Sequence, residues 1–107
     1  MNRVFVPMSE DNIKKILSGE KTTTIRSKRS NEQIGMFIGE TSVVSFFGVD
    51  FLITNKGFLT VEEAGGKEKM LISESFGSDG PKYKQTEDWL EGKGKLYVYE
   101  IEKINGN

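Results

Sequence analysis

The stretch that decides the fold reads Ile13-Lys14-Lys15-Ile16-Leu17-Ser18-Gly19-Glu20-Lys21-Thr22-Thr23-Thr24-Ile25-Arg26. Ile13, Ile16 and Leu17 follow the i, i+3, i+4 spacing that places side chains on one face of a helix. Gly19 is the residue type that often ends a helix, because it adopts a left-handed backbone without strain. The β-branched residues after it suit a pleated strand. The stretch therefore predicts a helix followed at once by a strand over 20–26.

The residues before this stretch predict how the helix begins. Ser9 is a candidate N-cap, and Glu10 follows in the first turn, where the helix dipole favours negative charge. We therefore expect the helix to cover residues 9–18. Ahead of it, residues 3–6 form a short β-prone run that Pro7 closes.

The residues after the stretch predict strands, turns and further short helices. Residues 27–33 are polar and charged, which indicates a loop. Asn55-Lys56-Gly57 predicts a hairpin turn, since Gly57 is free to take a positive φ. The other elements are predicted as strands over 41–47, 49–54, 57–62 and 95–102, short helices over 67–76 and 85–91, and a loop over 77–82.

The order of these elements favours an α+β fold with a single domain over residues 1–107. A chain of 107 residues has room for about one domain. One helix near the N-terminus, one or two short helices and several short strands predict a small, mostly antiparallel sheet. Closure into a β-barrel would protect the edges of so small a sheet, so we expect a barrel. The alternative is an open-sheet α+β sandwich.

The composition excludes several kinds of chemistry. The chain has no cysteine and no histidine, which excludes disulfides, thiolate and imidazole zinc sites, and catalysis by histidine. Its 15 basic and 16 acidic residues give a net charge of -1, which argues against a protein that mainly coats duplex nucleic acid. No apolar run approaches the ~20 residues of a membrane span, and the N-terminus does not resemble a signal peptide. We therefore expect a cytoplasmic protein without a membrane partner.

The densest group of polar side chains follows the first helix. In a regular strand Thr22, Thr24 and Arg26 share one face, where two hydroxyls and a guanidinium suit a polar ligand. Lys21, at the turn between helix and strand, has a flexible stem that reaches the same face. The alternative is an ordinary strand whose charged residues are solvated.

The spacing Gly19-x-Lys21-x-x-x-x-Arg26 resembles the signature of the ASCH domain, a family of PUA-like β-barrels. Within that family, the stretch from Ile16 to Arg26 is most similar to the small bacterial N4-acetylcytidine amidohydrolases. The C-terminal Leu96-Tyr97-Val98-Tyr99-Glu100-Ile101 resembles their final strand. The resemblance implies an enzyme that removes the acyl group from N4-acetylcytidine or a related N4-acylated cytosine nucleoside, without metal or other cofactor.

The resemblance also implies a catalytic set of lysine, threonine and glutamate. It assigns the base to Lys21 and the nucleophile to Thr24. Glu74 is the preferred candidate for the acid that protonates the leaving amine, with Glu62 and Glu63 as rivals. Amide hydrolysis needs these three functions, and desolvation would bring the pKa of the lysine down from ~10.4 toward neutrality.

The substrate-binding residues expected beside this set are Arg26, Thr22 and Lys28. Arg26 would also lower the pKa of Lys21 by like-charge repulsion. The same segment leaves a second function open, which is an RNA- or modified-nucleotide-binding module that grips its ligand through Lys21, Arg26, Lys28 and Arg29. A nuclease ranks last, because the chain has no histidine. We expect a monomer whose partner is a nucleoside or, for the second function, RNA.

The aromatic residues allow two interpretations. Phenylalanines in a small sheet are usually core residues, and a base-stacking surface is the alternative. Trp89 is interpreted in the same way, as a residue that closes the core. The phenylalanines concerned are Phe46, Phe47, Phe51, Phe58 and Phe76.

Overall fold

The structure, a computed structural model, describes residues 1–74 and 81–104, and for residues 81–83 it describes the backbone alone. These residues form four helices and four strands. In chain order they are α1 (Glu10–Ser18), β1 (Thr23–Arg26), α2 (Lys28–Ile34), β2 (Thr41–Phe46), β3 (Val49–Leu59), α3 (Lys67–Glu74), α4 (Pro81–Leu90) and β4 (Leu96–Lys103).

The four strands form one antiparallel sheet in the order β1-β4-β3-β2. The predicted α+β fold with an antiparallel sheet is therefore confirmed. The sheet of the described residues is open, however, and the expected closure into a barrel is not found. Its two edges are covered in another way, because the side chains at the end of α3 bond to β1 and the N-terminal segment bridges to β2 through Arg3 and Val43.

The first helix and the strand after it follow the prediction closely. Ser9 is the N-cap of α1, and its hydroxyl accepts a hydrogen bond from the backbone N–H of Asn12 at 3.3 Å. Gly19 ends the helix with a φ of 87°. The strand begins at Thr23 rather than at residue 20. Lys21 and Thr22 thus lie in the connection between helix and strand.

The predicted loop over 27–33 is wrong, because these residues belong to α2. Ser27 is its N-cap and accepts a hydrogen bond from the backbone N–H of Ser30 at 3.3 Å, while Gly35 ends the helix with a φ of 74°. The polar composition hid the helix, since Ser30 and Ile34 are its only buried residues. With α2 included, the described residues hold three helices after α1, where one or two were expected.

The predicted hairpin turn at Asn55-Lys56-Gly57 is also wrong. The strands expected over 49–54 and 57–62 form one strand, β3, which ends at Leu59 and contains a β-bulge between Asn55 and Gly57. Gly57 does take a positive φ, of 100°, and its N–H donates to Asn55 Oδ1 at 2.9 Å. The bulge therefore uses the same residue types as a turn without reversing the chain.

The later helices match the predicted helices in part. α3 covers most of the helix expected over 67–76, and α4 starts four residues before the helix expected over 85–91. Residues 77–80 of the loop expected over 77–82 lie outside the described part, as does Phe76. Residues 81–82 belong to α4, so the expected loop is wrong there.

Two apolar clusters cover the two faces of the sheet. Along β4, Tyr99 and Ile101 join one cluster and Leu96 and Val98 join the other, as the alternation of a strand requires. α1 and α2 pack on the first face through residues that include Ile16, whereas α3 and α4 pack on the second. Within the described residues, the longest apolar helical segments fall short of what a membrane crossing requires.

Candidate active site

A buried ion pair joins two residues that lie 53 positions apart in the sequence. Lys21 Nζ contacts Glu74 Oε2, and the two residues are only 3% and 5% exposed. The backbone N–H of Lys21 donates to Lys15 O at 3.1 Å, which ties the lysine to the last turn of α1. Glu74 is the final residue of α3. The fold thus brings a lysine from one element and a carboxylate from another into one enclosed position.

Burial sets the electrostatics of this pair. It lowers the pKa of Lys21, and the positive charges of Arg26 and Lys15 act in the same direction, while Glu74 opposes them. Burial also raises the pKa of Glu74, against the opposing effect of Lys21 and Arg26. Both shifts favour the uncharged forms, a free amine and a protonated acid. A base and an acid for catalysis near neutral pH need these directions.

Residues at the end of α3 also satisfy the free edge of β1. The hydroxyl of Ser73 accepts hydrogen bonds from the backbone N–H groups of Thr22 and Thr23 at 3.3 and 3.2 Å. The side chain of Thr23 lies 2.7 Å from that hydroxyl and donates to Glu74 Oε1 at 3.5 Å. Neighbouring side chains at the end of α3 thus form the ion pair and cover the strand edge.

Thr24 points to the opposite face of β1 and contacts Arg26. Arg26 Nε donates to Thr24 Oγ1 at 3.2 Å, and its Nη1 donates to Ser30 Oγ at 3.4 Å. Thr24 is only 4% exposed. Among the described residues, the hydrogen bonds of Thr24 and Lys21 do not join these two side chains, whereas Thr23 does reach Glu74.

A chain of polar side chains continues from Thr24 across the sheet. Tyr99 lies directly opposite Thr24, and its hydroxyl donates to Asn31 Oδ1. Asn55 Nδ2 donates to the same oxygen at 3.5 Å and to Met36 O at 3.0 Å. Burial raises the pKa of Tyr99 to about 12, so its hydroxyl remains a donor. These bonds fasten α2 over the sheet and fix the surroundings of Thr24.

A cleft of about 340 Å³ opens beside Lys21. Its lining residues come from the end of α1, the connection to β1, and strands β3 and β4: Ile16, Gly19, Lys21, Thr22, Phe51, Ile101, Glu102 and Lys103. Thr24, Arg26 and Glu74 do not line it. Of the two residues of the ion pair, Lys21 therefore borders the cleft and Glu74 does not.

The structure brings together most of the residues that the sequence singled out. Lys21 and Glu74 are paired, and Thr24 and Arg26 are bonded to each other on the adjacent strand. Thr22 and Lys28 are exposed.

The rivals of Glu74 lie elsewhere. Glu62 is exposed, and Glu63 bonds locally to the backbone N–H of Thr60 at 2.9 Å.

Sequence reasoning missed two hydroxyls of the site, those of Ser73 and Thr23. Ser73 stood in a helix predicted from weak signals, so its position against β1 was not expected. The alternation of β1 placed Thr23 on the face away from Thr24, and the structure keeps it there, against α3. The signal available in the sequence was a serine, Ser73, directly before the predicted acid Glu74.

The aromatic residues divide between core and surface. Phe46 and Phe51 are buried in the first cluster, and Trp89 is buried with its indole N–H donating to Leu59 O at 2.9 Å, as a core interpretation expects. Phe58 is 48% exposed and stacks on Tyr97 with ring centroids 4.8 Å apart. An aromatic pair of the exposed Phe58 and the half-buried Tyr97 therefore lies at the end of the sheet where β1 and β3 end. We call it the exposed aromatic pair.

Comparisons of the chain with protein-family models, with curated proteins and with solved structures find no match in any of the three.

Proposed function

We propose that this protein is an amidohydrolase that removes the acyl group from N4-acetylcytidine or a related N4-acylated cytosine nucleoside. The observation that carries the proposal is the enclosed pair of Lys21 and Glu74 next to the threonines of β1. We also propose that the chain is a member of the ASCH family, with its PUA-like barrel architecture. The order of helix, Gly-x-Lys motif and closing strand supports it.

A catalytic role explains the pair better than a purely structural one. Burying an ion pair is often no more stabilising than apolar packing of the same volume, because desolvation offsets the attraction. The pKa of Lys21 is lowered and that of Glu74 is raised, both mainly by burial. These are the shifts that let a lysine accept a proton and a glutamic acid donate one.

The proposed reaction proceeds in two halves. The hydroxyl of Thr24 attacks the acyl carbon and a tetrahedral intermediate forms. The free amine of Lys21 takes the hydroxyl proton through an intervening water, because the two side chains are not hydrogen-bonded to each other. Glu74 protonates N4 as the C–N bond breaks, so cytidine leaves and an ester on Thr24 remains. Water then attacks the ester while the Glu74 carboxylate takes one of its protons, and Lys21 returns its proton to the threonine oxygen. The carboxylic acid departs, and the neutral amine of Lys21 and the protonated acid of Glu74 are restored.

Arg26 supports this assignment of the nucleophile. Its Nε donates to Thr24 Oγ1 at 3.2 Å, so the guanidinium stabilises negative charge as the hydroxyl loses its proton. Thr23 is the rival nucleophile, since its hydroxyl reaches Glu74 directly. The two threonines are neighbours with nearly equal burial, and this makes them a matched pair for mutation.

The first experiment measures release of cytidine from N4-acetylcytidine by the wild type, Lys21→Ala, Thr24→Val and Thr23→Val. We expect the Lys21 and Thr24 variants to lose about 10³-fold or more in kcat, as removal of a nucleophile or its base does elsewhere. Thr23→Val should keep most of the activity of the wild type.

Two further variants test the acid. Glu74→Gln should lose activity, and Glu62→Gln, an exposed glutamate in the turn before α3, is its control. No turnover by the wild type at high enzyme concentration overturns the proposal. If Thr23→Val loses activity and Thr24→Val does not, the nucleophile is Thr23 and the assignment to Thr24 is wrong.

A second candidate function is binding of single-stranded RNA without catalysis, and the exposed aromatic pair favours it. Arg26, Tyr97 and Phe58 are successive cross-strand neighbours at one end of the sheet. Lys28 and Arg29 follow Arg26 in the first turn of α2 and are exposed. Aromatic rings beside cationic side chains are the usual means of gripping a single strand.

Fluorescence anisotropy with a labelled cytidine-containing RNA tests this candidate. We expect Phe58→Ala to weaken binding about tenfold, in line with the stacking of one base on an aromatic ring. Phe5→Ala, a change at a more exposed phenylalanine in the N-terminal segment, is the control. Absence of binding by the wild type at low salt excludes this function.

A further inference from the structure

We propose that the cleft beside Lys21 is a pocket for the acyl chain, and that the enzyme prefers acyl groups of about four to six carbons over acetyl. This inference rests on the proposed amidohydrolase function and specifies its substrate class.

The lining of the cleft suits a hydrocarbon chain. Three of its side chains, those of Ile16, Phe51 and Ile101, are buried in the first cluster and carry no hydrogen-bonding group. The polar side chains of the lining are those of Lys21, Thr22, Glu102 and Lys103. A cytosine ring placed among the three apolar side chains would lose partners for its polar edge, which is costly in an apolar site. An alkyl chain has no such groups, so burial there is favourable throughout.

The position of the cleft places it next to the reacting atoms. Ile101 and Tyr99 are two residues apart on β4, so their side chains share one face about 7 Å apart. Tyr99 lies opposite Thr24, and the backbone N–H of Ile101 donates to Thr22 O at 2.8 Å. Thr24 does not line the cleft, but Thr22, two residues before it, does, so an acyl chain would run from Thr24 past Thr22 toward Ile101. Lys21 lines the same cleft, so the base stands beside the path of the chain.

The size of the cleft exceeds the needs of an acetyl group. Its volume of about 340 Å³ is within the range of pockets that hold small molecules. With C–C bonds of about 1.5 Å, a chain of about five or six carbons spans the distance from Thr24 to Ile101. The single methyl of acetyl leaves most of this apolar surface uncovered.

The test compares kcat/KM for N4-acetyl-, N4-butanoyl- and N4-hexanoylcytidine. We expect kcat/KM to rise about fourfold for each methylene added up to hexanoyl, as burial of one methylene predicts. Thr22→Phe narrows the cleft from its rim and should lower the ratio of hexanoyl to acetyl turnover about tenfold or more. Ser45→Phe, at an exposed strand position on β2, should leave that ratio unchanged. A ratio near one in the wild type overturns the inference while the amidohydrolase proposal stands.

A binding measurement tests the cleft apart from catalysis. Hexanamide is titrated into protein with ¹³C-labelled isoleucine methyl groups, and the signals are followed by NMR. We expect the signals of Ile16 and Ile101 to shift, while that of Ile25, on the other face of the sheet, stays in place. If no acylcytidine is hydrolysed, the amidohydrolase proposal fails. If hexanamide leaves the Ile16 and Ile101 signals unmoved, the pocket itself is refuted.

Discussion

Lys21 and Glu74 each make the burial of the other tolerable. An exposed pair of the same kind is held by Lys14 and Glu10 in α1, where both side chains remain in water and contribute little to stability. The buried pair is different, because removal of either partner leaves an uncompensated charge in the interior at a cost of about 3–5 kcal/mol. The residue that remains then governs how stability depends on pH.

The two single variants of the pair should respond to pH in opposite directions. In Lys21→Met, the raised pKa of Glu74 favours its protonated form in the fold, so stability is greatest below about pH 4 and falls as pH rises through that pKa. In Glu74→Gln, the lowered pKa of Lys21 favours the neutral amine, so stability rises as pH increases toward about 10. Urea unfolding at pH 5, 7 and 9 measures both slopes.

The control for these slopes is Lys14→Met, which removes the lysine of the exposed pair. Its stability should follow that of the wild type at every pH, within about 0.5 kcal/mol. Equal slopes in the two buried-pair variants would show that Lys21 and Glu74 are not enclosed together.

At the level of single residues, the sequence predicted the site in part. The Gly-x-Lys motif pointed to Lys21 and Thr24 because these residues lie in one short stretch with recognisable spacing. Glu74 was predicted by resemblance, ahead of Glu62 and Glu63. Ser73 was not predicted, since its role depends on α3 meeting the edge of β1, a contact between distant segments that local patterns do not encode.

The secondary-structure elements differ in how clearly their sequence predicts them. α1 was predictable because its N-cap, its apolar spacing and its final glycine all agree. α2 has a cap and a final glycine as well, but its body Lys28–Gln33 is polar, and the apolar periodicity is missing. The bulge in β3 carries the Asn and Gly of a turn, so only its pairing with β4 distinguishes the two.

The turn between β2 and β3 contains a strained residue. Phe47 has a φ of 49° and is followed by Gly48 with a φ of 78°, so both central residues of the turn are left-handed. Hairpins of this type favour Asn-Gly, because a bulky side chain is disfavoured at positive φ. The side chain of Phe47 is 59% exposed, so little packing compensates for the strain.

Replacing Phe47 with Asn should therefore stabilise the protein. We expect a gain of about 1 kcal/mol, the lower end of the cost of a strained backbone position. For a domain of this size that gain raises Tm by about 4–8 °C, which calorimetry measures. Phe37→Asn, at an exposed phenylalanine without a positive φ, should change Tm little. An unchanged or lower Tm for Phe47→Asn would contradict the assignment of strain.

At the scale of the whole molecule, the fold class was predictable and the closure of the sheet was not. Alternating β-prone runs and a single clear helix pointed to an α+β protein with an antiparallel sheet, and the structure has one. Barrel closure was expected because the sheet edges need protection. The structure protects them by contacts from α3 and from the segment around Arg3, which joins β2 in a parallel bridge and pairs with Asp50. Such contacts are long-range, and no window of the sequence reveals them.

The end of α3 protects the edge of β1, so the same contact that forms the candidate site also bears on self-association of the protein. The hydroxyl of Ser73 occupies the backbone donors of Thr22 and Thr23, which would otherwise be open to a strand from another molecule. A substitution that pulls α3 away from β1 would thus disrupt the proposed reaction centre and also expose a strand edge that can pair with a second molecule. Variants at Ser73 and Glu74 should therefore be assayed at several protein concentrations. Loss of activity through self-association depends on protein concentration, whereas loss of a catalytic group does not.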